Sequence, residues 1–454
     1  MQKETEIKLR VSPETLIALR EHPLLKKRSK SGWQRHELFN QYYDTPEREL
    51  AQAKVALRLR RDGDQFIQTL KSRGRSVAGL SERNEWEWTL DKAKLDLKKL
   101  ADDCWPASLA ELDKKTLKPI FTTNFVREKA EIAWGRGKAK VVLEAALDLG
   151  SVVAGKQSEE ICELELELRQ GDPEALLELA TELAGDLALM PCDISKAERG
   201  YRLHDAESYS LSLPAPQLEA TMPLDEAFPA LAWQLLGNSQ RLAEQYRFNG
   251  HWKLLGDWLQ HLTELRALLG SVGQAAPRAT SRELRERLDA LIHDWRPRVE
   301  AGRNDESVRQ AAPEQFAAEL AKPRWGQFSL KASVWLLQRG WTANRNNRGN
   351  RQGAAELGNW LPRLLSEEAD ALQLLRYQQK PEDLAEQRPR MERMLVWLHL
   401  ARGTLDLPEA DRLYGELAKL YELAGQPLND ELLEARVEQA RLVWTLKPWK
   451  QLLK

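Results

Sequence analysis

Charged side chains alternate with uncharged ones at the start of the chain. Glu4, Glu6 and Lys8 recur at a period of two. In a β-strand this spacing places all three charged groups on one face. Two carboxylates and an ammonium group on one face suit the lining of a polar cavity, and they would form half of a site for a metal-bound anion.

A second row of carboxylates lies within residues 161–168, where Glu163, Glu165 and Glu167 alternate with leucine. Hard divalent cations such as Mg²⁺ or Mn²⁺ prefer oxygen ligands, and carboxylates gathered this closely need cations to compensate them. The two rows therefore predict two strands that supply carboxylates to a metal site.

Basic residues recur at the same period between the two acidic strands. They include Arg58, Arg60, Lys71, Arg83, Arg127 and Lys129, and Lys196 and Arg199 follow the second acidic strand. One such strand is typical of a solvated sheet face, but so many together predict a shared polar lumen. A closed antiparallel barrel provides that lumen, because closure removes sheet edges and directs every second residue inward. The ligand that needs basic groups and metal ions together is a chain of phosphates.

Residues 1 to about 205 resemble the CYTH, or triphosphate tunnel metalloenzyme, family. The matching segments are Glu4-x-Glu6-x-Lys8, Tyr42-Tyr-Asp-Thr-Pro46, Ala56-Leu-Arg-Leu-Arg60, Leu70-Lys71, Arg83-x-Glu85-x-Glu87, Leu147-Asp148, Cys162-Glu-Leu-Glu165 and Ser195-Lys-Ala-Glu-Arg-Gly-Tyr201. The resemblance implies an eight-stranded antiparallel β tunnel that hydrolyses or cyclises triphosphates with a divalent metal.

The same resemblance implies roles for individual residues. The metal ligands would be Glu4, Glu6, Glu163 and Glu165, with Asp148 and Glu167 as additional candidates. The phosphate-binding residues would be Lys8, Arg58, Arg60, Lys71, Arg83, Arg127, Lys196 and Arg199. Lys8, Glu4, Glu6, Glu163 and Glu165 would be catalytic. The identity of the general base stays open. Lys8 could be the base only if its neighbours depress its pKa, and a carboxylate could equally position the water.

Other conspicuous residues of this region have structural interpretations. We interpret Trp86, Trp88 and Trp134 as part of an outer hydrophobic shell rather than as stacking platforms for bases. His22 and His36 are expected at the surface. The three cysteines lack a Cys-x-x-Cys spacing, so we expect free thiols in a reducing compartment.

Length and composition agree with two soluble domains, and the strand-like and helix-like patterns together predict an α+β multidomain protein. The chain has 454 residues, a formal net charge of −1, 42% hydrophobic and 30% charged residues. The weak net charge argues against nucleic acid as a partner. The first residues do not resemble a signal peptide, and no apolar run approaches the roughly 20 residues of a membrane span, so we expect a cytoplasmic protein without membrane contact.

The predicted domains are a tunnel at 1–205, a Ser- and Pro-rich linker at 206–222, and an all-α bundle of paired helices at 223–454. The last of these resembles the CHAD domain, whose members bind polyphosphate. Residues 257–269 keep His261 and Arg266 but lack the basic stripe of that family, so we assign no polyphosphate site there. The arginine-rich segment 339–351 is expected to be an inter-helix loop, with anion binding as the alternative.

The leading functional prediction is Mg²⁺- or Mn²⁺-dependent hydrolysis of inorganic triphosphate to pyrophosphate and phosphate. It rests on the succession of CYTH-like and CHAD-like regions, which resembles bacterial inorganic triphosphatases. One alternative is a nucleoside triphosphatase or a class IV adenylate cyclase. A second is a non-enzymatic protein that binds polyphosphate. The sequence does not predict the oligomeric state.

Overall fold

The computed structural model describes residues 2–30, 32–72, 74–77, 79–101, 103–135, 140–378, 380–427 and 429–453. Two compact units are present. The first comprises Met1–Leu213, Gly237–Trp258 and Arg298–Val334, and the second comprises Pro214–Leu236, Leu259–Pro297 and Trp335–Lys454. The domain boundaries expected from the sequence stay a prediction.

Within the described residues, ten strands form one antiparallel sheet in the first unit. They are β1 (Gln2–Arg10), β2 (Gln34–Asp44), β3 (Ala56–Asp62), β4 (Gln65–Lys71), β5 (Arg75–Val77), β6 (Leu80–Leu90), β7 (Lys118–Trp134), β8 (Val141–Ala154), β9 (Gln157–Gln170) and β10 (Met190–Pro191). The order is β10-β1-β9-β8-β7-β2-β3-β4-β6-β5, and β1 also pairs with β6. This last pairing closes eight of the strands into a barrel, so the predicted antiparallel eight-stranded tunnel is confirmed.

The outward face of the barrel is apolar and covered. On β1, Ile7 and Leu9 are fully buried in a cluster with Leu164 and Leu166 of β9. Leucines of the helices outside the barrel complete this cluster. Because side chains alternate along a strand, covering the apolar face leaves the charged face of β1 and β9 directed into the lumen.

The tryptophans also belong to this outer shell. Trp134 is buried in the same cluster, and the Arg28 guanidinium lies 4.4 Å from the centre of its ring. Trp86 and Trp88 pack against a second apolar cluster around Trp105.

Sixteen α-helices are found among the described residues. They are α1 (Pro13–Glu21), α2 (Pro23–Arg28), α3 (Glu49–Gln52), α4 (Glu174–Leu183), α5 (Lys196–His204), α6 (Leu224–Asn249), α7 (Trp252–Leu268), α8 (Arg282–Ala301), α9 (Glu306–Leu320), α10 (Pro323–Leu337), α11 (Asn347–Gly353), α12 (Leu357–Leu372), α13 (Arg388–Ala401), α14 (Ala410–Gly425), α15 (Asp430–Thr445) and α16 (Lys447–Leu452). The C-terminal region is helical, as predicted. None of the described helices combines the length and apolar character that a membrane crossing requires.

The arginine-rich segment 339–351 differs from its predicted loop. It contains a 3₁₀ helix at Gly340–Thr342 and most of α11. Asn346 explains the second element, because its side chain accepts a hydrogen bond of 2.8 Å from the backbone N–H of Gly349 and so caps the helix. Arg345 pairs with Asp225 rather than remaining free for an anion.

Helix α5 carries the second half of the Ser195–Tyr201 motif and packs closely on the barrel. The Ser195 hydroxyl caps the helix by accepting from the backbone N–H of Glu198 at 3.2 Å. Gly200 lies against Phe121, and a Cβ at position 200 would be only 2.1 Å from that ring. The Tyr201 hydroxyl donates to Asp44 at 2.7 Å. The glycine is therefore required for α5 to approach β7.

We expect Gly200→Ala to lower the free energy of unfolding by about 2 kcal/mol, because the added methyl group overpacks the contact with Phe121. Gly256→Ala is the matched control: Gly256 lies inside α7 with no atom within 4 Å of an added Cβ. That control should gain about 0.5–1 kcal/mol from helix propensity. Urea unfolding of both variants tests the expectation, and equal stabilities would contradict it.

Candidate active site

The barrel encloses a polar cavity of about 260 Å³. Nine basic and eight acidic side chains line it. The basic ones are Lys8, Arg58, Arg60, Lys71, Arg83, Arg127, Lys129, Arg169 and Lys196, and the acidic ones are Glu4, Glu6, Asp62, Glu85, Glu87, Glu144, Glu165 and Glu167. The cavity is therefore rich in charge of both signs and close to neutral as a whole.

Three of the predicted site residues lie behind the cavity wall. Asp148, Glu163 and Arg199 are fully buried, and none of the three is among the described lining residues. Arg199 donates to Glu163 through Nη2 at 2.6 Å. Arg199 thus contacts a carboxylate next to the cavity, and its expected role in phosphate binding stays a prediction.

An acidic cluster at this place has the composition of a divalent cation site. Asp148, Glu163 and Glu165 each offer a carboxylate oxygen, and these oxygens lie within 4.8 Å of one another. The Lys196 ammonium sits among them, 2.7 Å from Asp148, 3.0 Å from Glu165 and hydrogen-bonded to Glu163. An all-oxygen donor set fits a hard divalent ion.

Neighbouring cations keep Glu163 and Glu165 ionised despite burial. Burial alone would raise the pKa of Glu163 and of Glu165, but the charges of Arg199 and Lys196 lower the first, and Lys196, Lys8 and Arg127 hold the second well below its usual value. In return, the pKa of Lys196 is raised, since the three carboxylates outweigh its burial. Glu163, Glu165 and Lys196 thus stabilise one another in their charged forms.

Lys8 is held in its protonated form. Its ammonium lies 3.0 Å from Glu165 and 3.2 Å from Glu6. Burial would lower the pKa of Lys8, yet the attraction of Glu165, Glu6 and Glu163 raises it well above the usual value. The condition under which Lys8 would serve as a general base is therefore not met.

The charges on β1 are paired with basic residues of β4 and β6. Glu4 accepts two hydrogen bonds from Lys71, at 2.7 and 2.8 Å. Glu6 accepts one from Arg83 at 2.6 Å. Burial would raise the pKa of Glu6, but Lys8, Arg83 and Lys71 lower it far below its ordinary value.

The arginines of β3 are less well compensated. Among the described residues, Arg60 makes no salt bridge; its Nε donates to the amide oxygen of Asn40 at 2.8 Å. Arg58 approaches Glu85 and Glu87 no closer than 3.7 Å. Burial and the like charges of Arg58 and Arg127 lower the pKa of Arg60 to about 9. This part of the lumen has positive charge available for an anion.

One lumen carboxylate titrates near neutral pH. Burial, reinforced by Glu4 and Glu144, raises the pKa of Glu167 to about 7, although Arg169 acts in the opposite direction. Arg169 donates to Glu167 at 2.6 Å. Glu167 differs in this respect from Glu6, Glu163 and Glu165.

Residues 2–201, which include all ten strands of the sheet, match the CYTH domain. An inorganic triphosphatase of Haemophilus influenzae is 32% identical over 203 residues, which are 45% of this chain and 55% of that protein. The alignment thus spans about half the length of the curated relative.

Two solved structures resemble this chain at lower identity. A Hippeastrum protein studied as an adenylyl cyclase, and described as having a dominant triphosphatase activity, is 22% identical and covers 45% of this chain and 100% of its own, with a TM-score of 0.32. A Bacillus halodurans protein named as a candidate adenylate cyclase is 23% identical, covers 40% of this chain and 92% of its own, and has a TM-score of 0.24.

Four lining residues of the CYTH domain were not recognised in the sequence. Arg169 continues the row of Glu163, Glu165 and Glu167, and Glu144 shares the parity of Asp148 on β8, so the period of two would have found both. His36 was expected at the surface but lines the cavity, with Nδ1 3.0 Å from Asp62. Asp62 continues the row of Arg58 and Arg60 on β3, so the period of two would have found it as well. His36 belongs to no row of charges, which is why the period gave no signal for it.

We expect Glu167→Gln to stabilise the metal-free protein at pH 8 by about 2 kcal/mol relative to wild type, and to have little effect at pH 4. The pKa of Glu167 is higher in the folded state than in the unfolded state. The folded state therefore binds the extra proton between about pH 4.5 and 7, and wild-type stability falls as pH rises through this window. Urea unfolding with a chelator at both pH values measures the difference. A pH-independent difference would contradict the raised pKa.

Proposed function

We propose that this chain hydrolyses inorganic triphosphate to pyrophosphate and phosphate inside the tunnel of its CYTH domain, with a divalent metal ion. The observation that carries the proposal is the arrangement of charge in the cavity. Arg60 has no carboxylate partner among the described residues, and Arg58 has only distant ones, while carboxylates line the same space. The relative from Haemophilus influenzae supports a triphosphate as the substrate.

Charge balance supports the metal requirement. A triphosphate carries several negative charges, whereas the lining has only one more basic than acidic side chain and most of its cations are already paired. Binding the anion therefore requires further positive charge in the cavity. The carboxylates suited to hold a divalent ion are Glu4, Glu6, Glu165 and Glu167 in the lining, with Asp148 and Glu163 behind them. When bound, Mg²⁺ or Mn²⁺ supplies charge neutralisation at the phosphoryl oxygens.

The chain's own residues divide the remaining tasks. Arg58 and Arg60 bind and orient phosphate, since a guanidinium group can donate two parallel hydrogen bonds to phosphoryl oxygens. Lys8 stays protonated and stabilises negative charge that develops during phosphoryl transfer. Glu167 has a pKa of about 7 when no ion is bound to it, so, where the other carboxylates hold the ion, Glu167 is the lumen carboxylate suited to accept a proton from water at neutral pH.

The experiment compares phosphate release from tripolyphosphate, ATP and thiamine triphosphate, with Mg²⁺, with Mn²⁺ and with a chelator. We expect tripolyphosphate to be preferred and the chelator to abolish turnover. Glu163→Gln should lower kcat by at least 100-fold while the far-ultraviolet circular dichroism stays unchanged, because the carboxylate cluster loses one charge. It also serves as the control for contaminating phosphatases.

Other outcomes of this assay would contradict the proposal. Preference for ATP would favour a nucleoside triphosphatase, and formation of cyclic AMP would identify a cyclase. Tight binding of polyphosphate without phosphate release would favour a binding protein. Glu4→Gln with near-normal turnover would remove Glu4 from the proposed ligands.

Arg60→Gln should weaken binding and stabilise the fold at the same time. Removing a cation that has no salt bridge among the described residues should raise KM for tripolyphosphate at least tenfold. It should also raise the free energy of unfolding by about 1 kcal/mol, since Arg58 and Arg127 repel Arg60. Arg61→Gln is the matched control, because Arg61 is the exposed neighbour on the opposite face of β3. A loss of stability in Arg60→Gln without a change in KM would refute this role.

A further inference from the structure

Helix α6 supplies a buried carboxylate to the unit that contains the tunnel. Residues 237–249 of this helix belong to the same compact unit as the barrel, although they lie beyond the CYTH match at 2–201. Within this segment, the Glu244 side chain is 1% exposed. A buried carboxylate requires cationic partners, and those partners show what the residue does.

The partners of Glu244 come from both the barrel and α5. Arg10, at the end of β1, donates to Glu244 through Nε at 2.8 Å and Nη2 at 2.6 Å. Arg202, on α5, donates at 3.3 Å, and Arg247, one turn further along α6, donates at 3.1 and 3.2 Å. Arg10 has the same parity as Glu4, Glu6 and Lys8, so the charged row of β1 ends at a carboxylate from α6.

The same segment holds α5 by further contacts. The Gln245 side chain accepts from Arg202 at 3.0 Å, and the Phe248 ring centre lies 3.8 Å from the Arg202 guanidinium. Arg241 pairs with Glu198 of α5. Together with Glu244, these residues fix α5 along much of its length.

Helix α5 in turn places two cations at the acidic cluster. Lys196 sits among Asp148, Glu163 and Glu165, and Arg199 donates to Glu163. Arg202 donates to both oxygens of Glu159, at 2.8 Å each, and Arg199 lies 4.0 Å from the same residue. A continuous set of ion pairs therefore links Glu244 to Glu163.

This set has more arginines than carboxylates. The loss of one carboxylate would therefore leave a buried arginine without a counter-charge. Arg10, Arg199, Arg202 and Arg247 share Glu159, Glu163 and Glu244. Within the described part of the chain, the Nε and Nη1 atoms of Arg199 already have no hydrogen-bond partner. Without Glu244, the arginines would compete for Glu159 and Glu163, and Glu163 would be drawn away from Lys196.

We propose that Glu244 is a positioning residue for the tunnel: it holds Arg10 and α5 so that Lys196 and Glu163 keep their places at the acidic cluster. The catalytic unit then includes residues 237–249 of α6 in addition to the CYTH domain. The effect on turnover rests on the function proposed above, whereas the effect on α5 does not.

The test uses the full chain and three variants. In Glu244→Gln we expect kcat for tripolyphosphate at saturating Mg²⁺ to fall at least tenfold, with KM within threefold of wild type. Amide hydrogen exchange in residues 196–204 should become at least tenfold faster. Glu244→Asp, which keeps the charge, should recover most of kcat and remain within about threefold of wild type. Glu226→Gln changes an exposed residue of the same helix and should match wild type in both measurements.

Wild-type kcat and wild-type exchange of α5 in Glu244→Gln would overturn the proposal. A rise in KM at constant kcat would also overturn it, because it would indicate a role in substrate binding. If Glu244→Gln does not fold, hydrogen exchange in Glu244→Asp decides: the shorter side chain should still make exchange in residues 196–204 severalfold faster, and an exchange rate identical to wild type would count against positioning. If wild type releases no phosphate from any triphosphate, the proposed function fails, and exchange in α5 alone then decides the role of Glu244.

Discussion

Compensation of charge inside a closed barrel is the constraint on which this structure depends. The apolar face of the sheet is covered on the outside, so the alternate residues bring many ionic groups into one lumen of about 260 Å³. The strand register satisfies much of this demand directly, because Lys8 lies opposite Glu165, Glu4 opposite Arg83, and Arg127 opposite Asp148. Folding and charge pairing are therefore one event: a slip of one residue would turn the charged row outward.

Two groups whose charge the protein does not fully compensate, Arg60 and Glu167, are among those to which we assign a role in substrate binding or hydrolysis. Arg60 keeps its charge without a salt bridge among the described residues, and Glu167 has a pKa of about 7. Both arrangements cost folding free energy, and proteins commonly tolerate such costs where a ligand relieves them. A phosphate beside Arg60 would provide the missing partner, and a cation beside Glu167 would add to the charge of Arg169. The internal salt bridges therefore leave charge in the cavity uncompensated, and a bound ligand would compensate it.

Period-two patterns in the sequence predicted the barrel and most of its lining, because alternation is a local property that directly reports strand faces. The position of Lys196 within the carboxylate cluster was not predictable in this way, since it depends on how α5 docks. Arg199 shows the same limit: its place behind Glu163 follows from the contact of Gly200 with Phe121, which joins distant parts of the chain. The state of Lys8 depends on three carboxylates, and burial and attraction shift its pKa in opposite directions. Only three-dimensional distances decide which of the two prevails.

The ion pair between Arg10 and Glu244 joins residues that are 234 positions apart, and no local pattern indicates it. Family similarity ends at residue 201, yet Arg10 is buried inside that region and pairs with Glu244, which lies outside it. Leaving a buried charge without its partner costs about 3–5 kcal/mol, which is a large part of the total stability of a domain. The region that matches the family therefore depends for its stability on a residue outside the match. Because the charge of Arg10 on β1 is balanced by Glu244 on α6, the position of α6 is constrained as strictly as the positions of the strands.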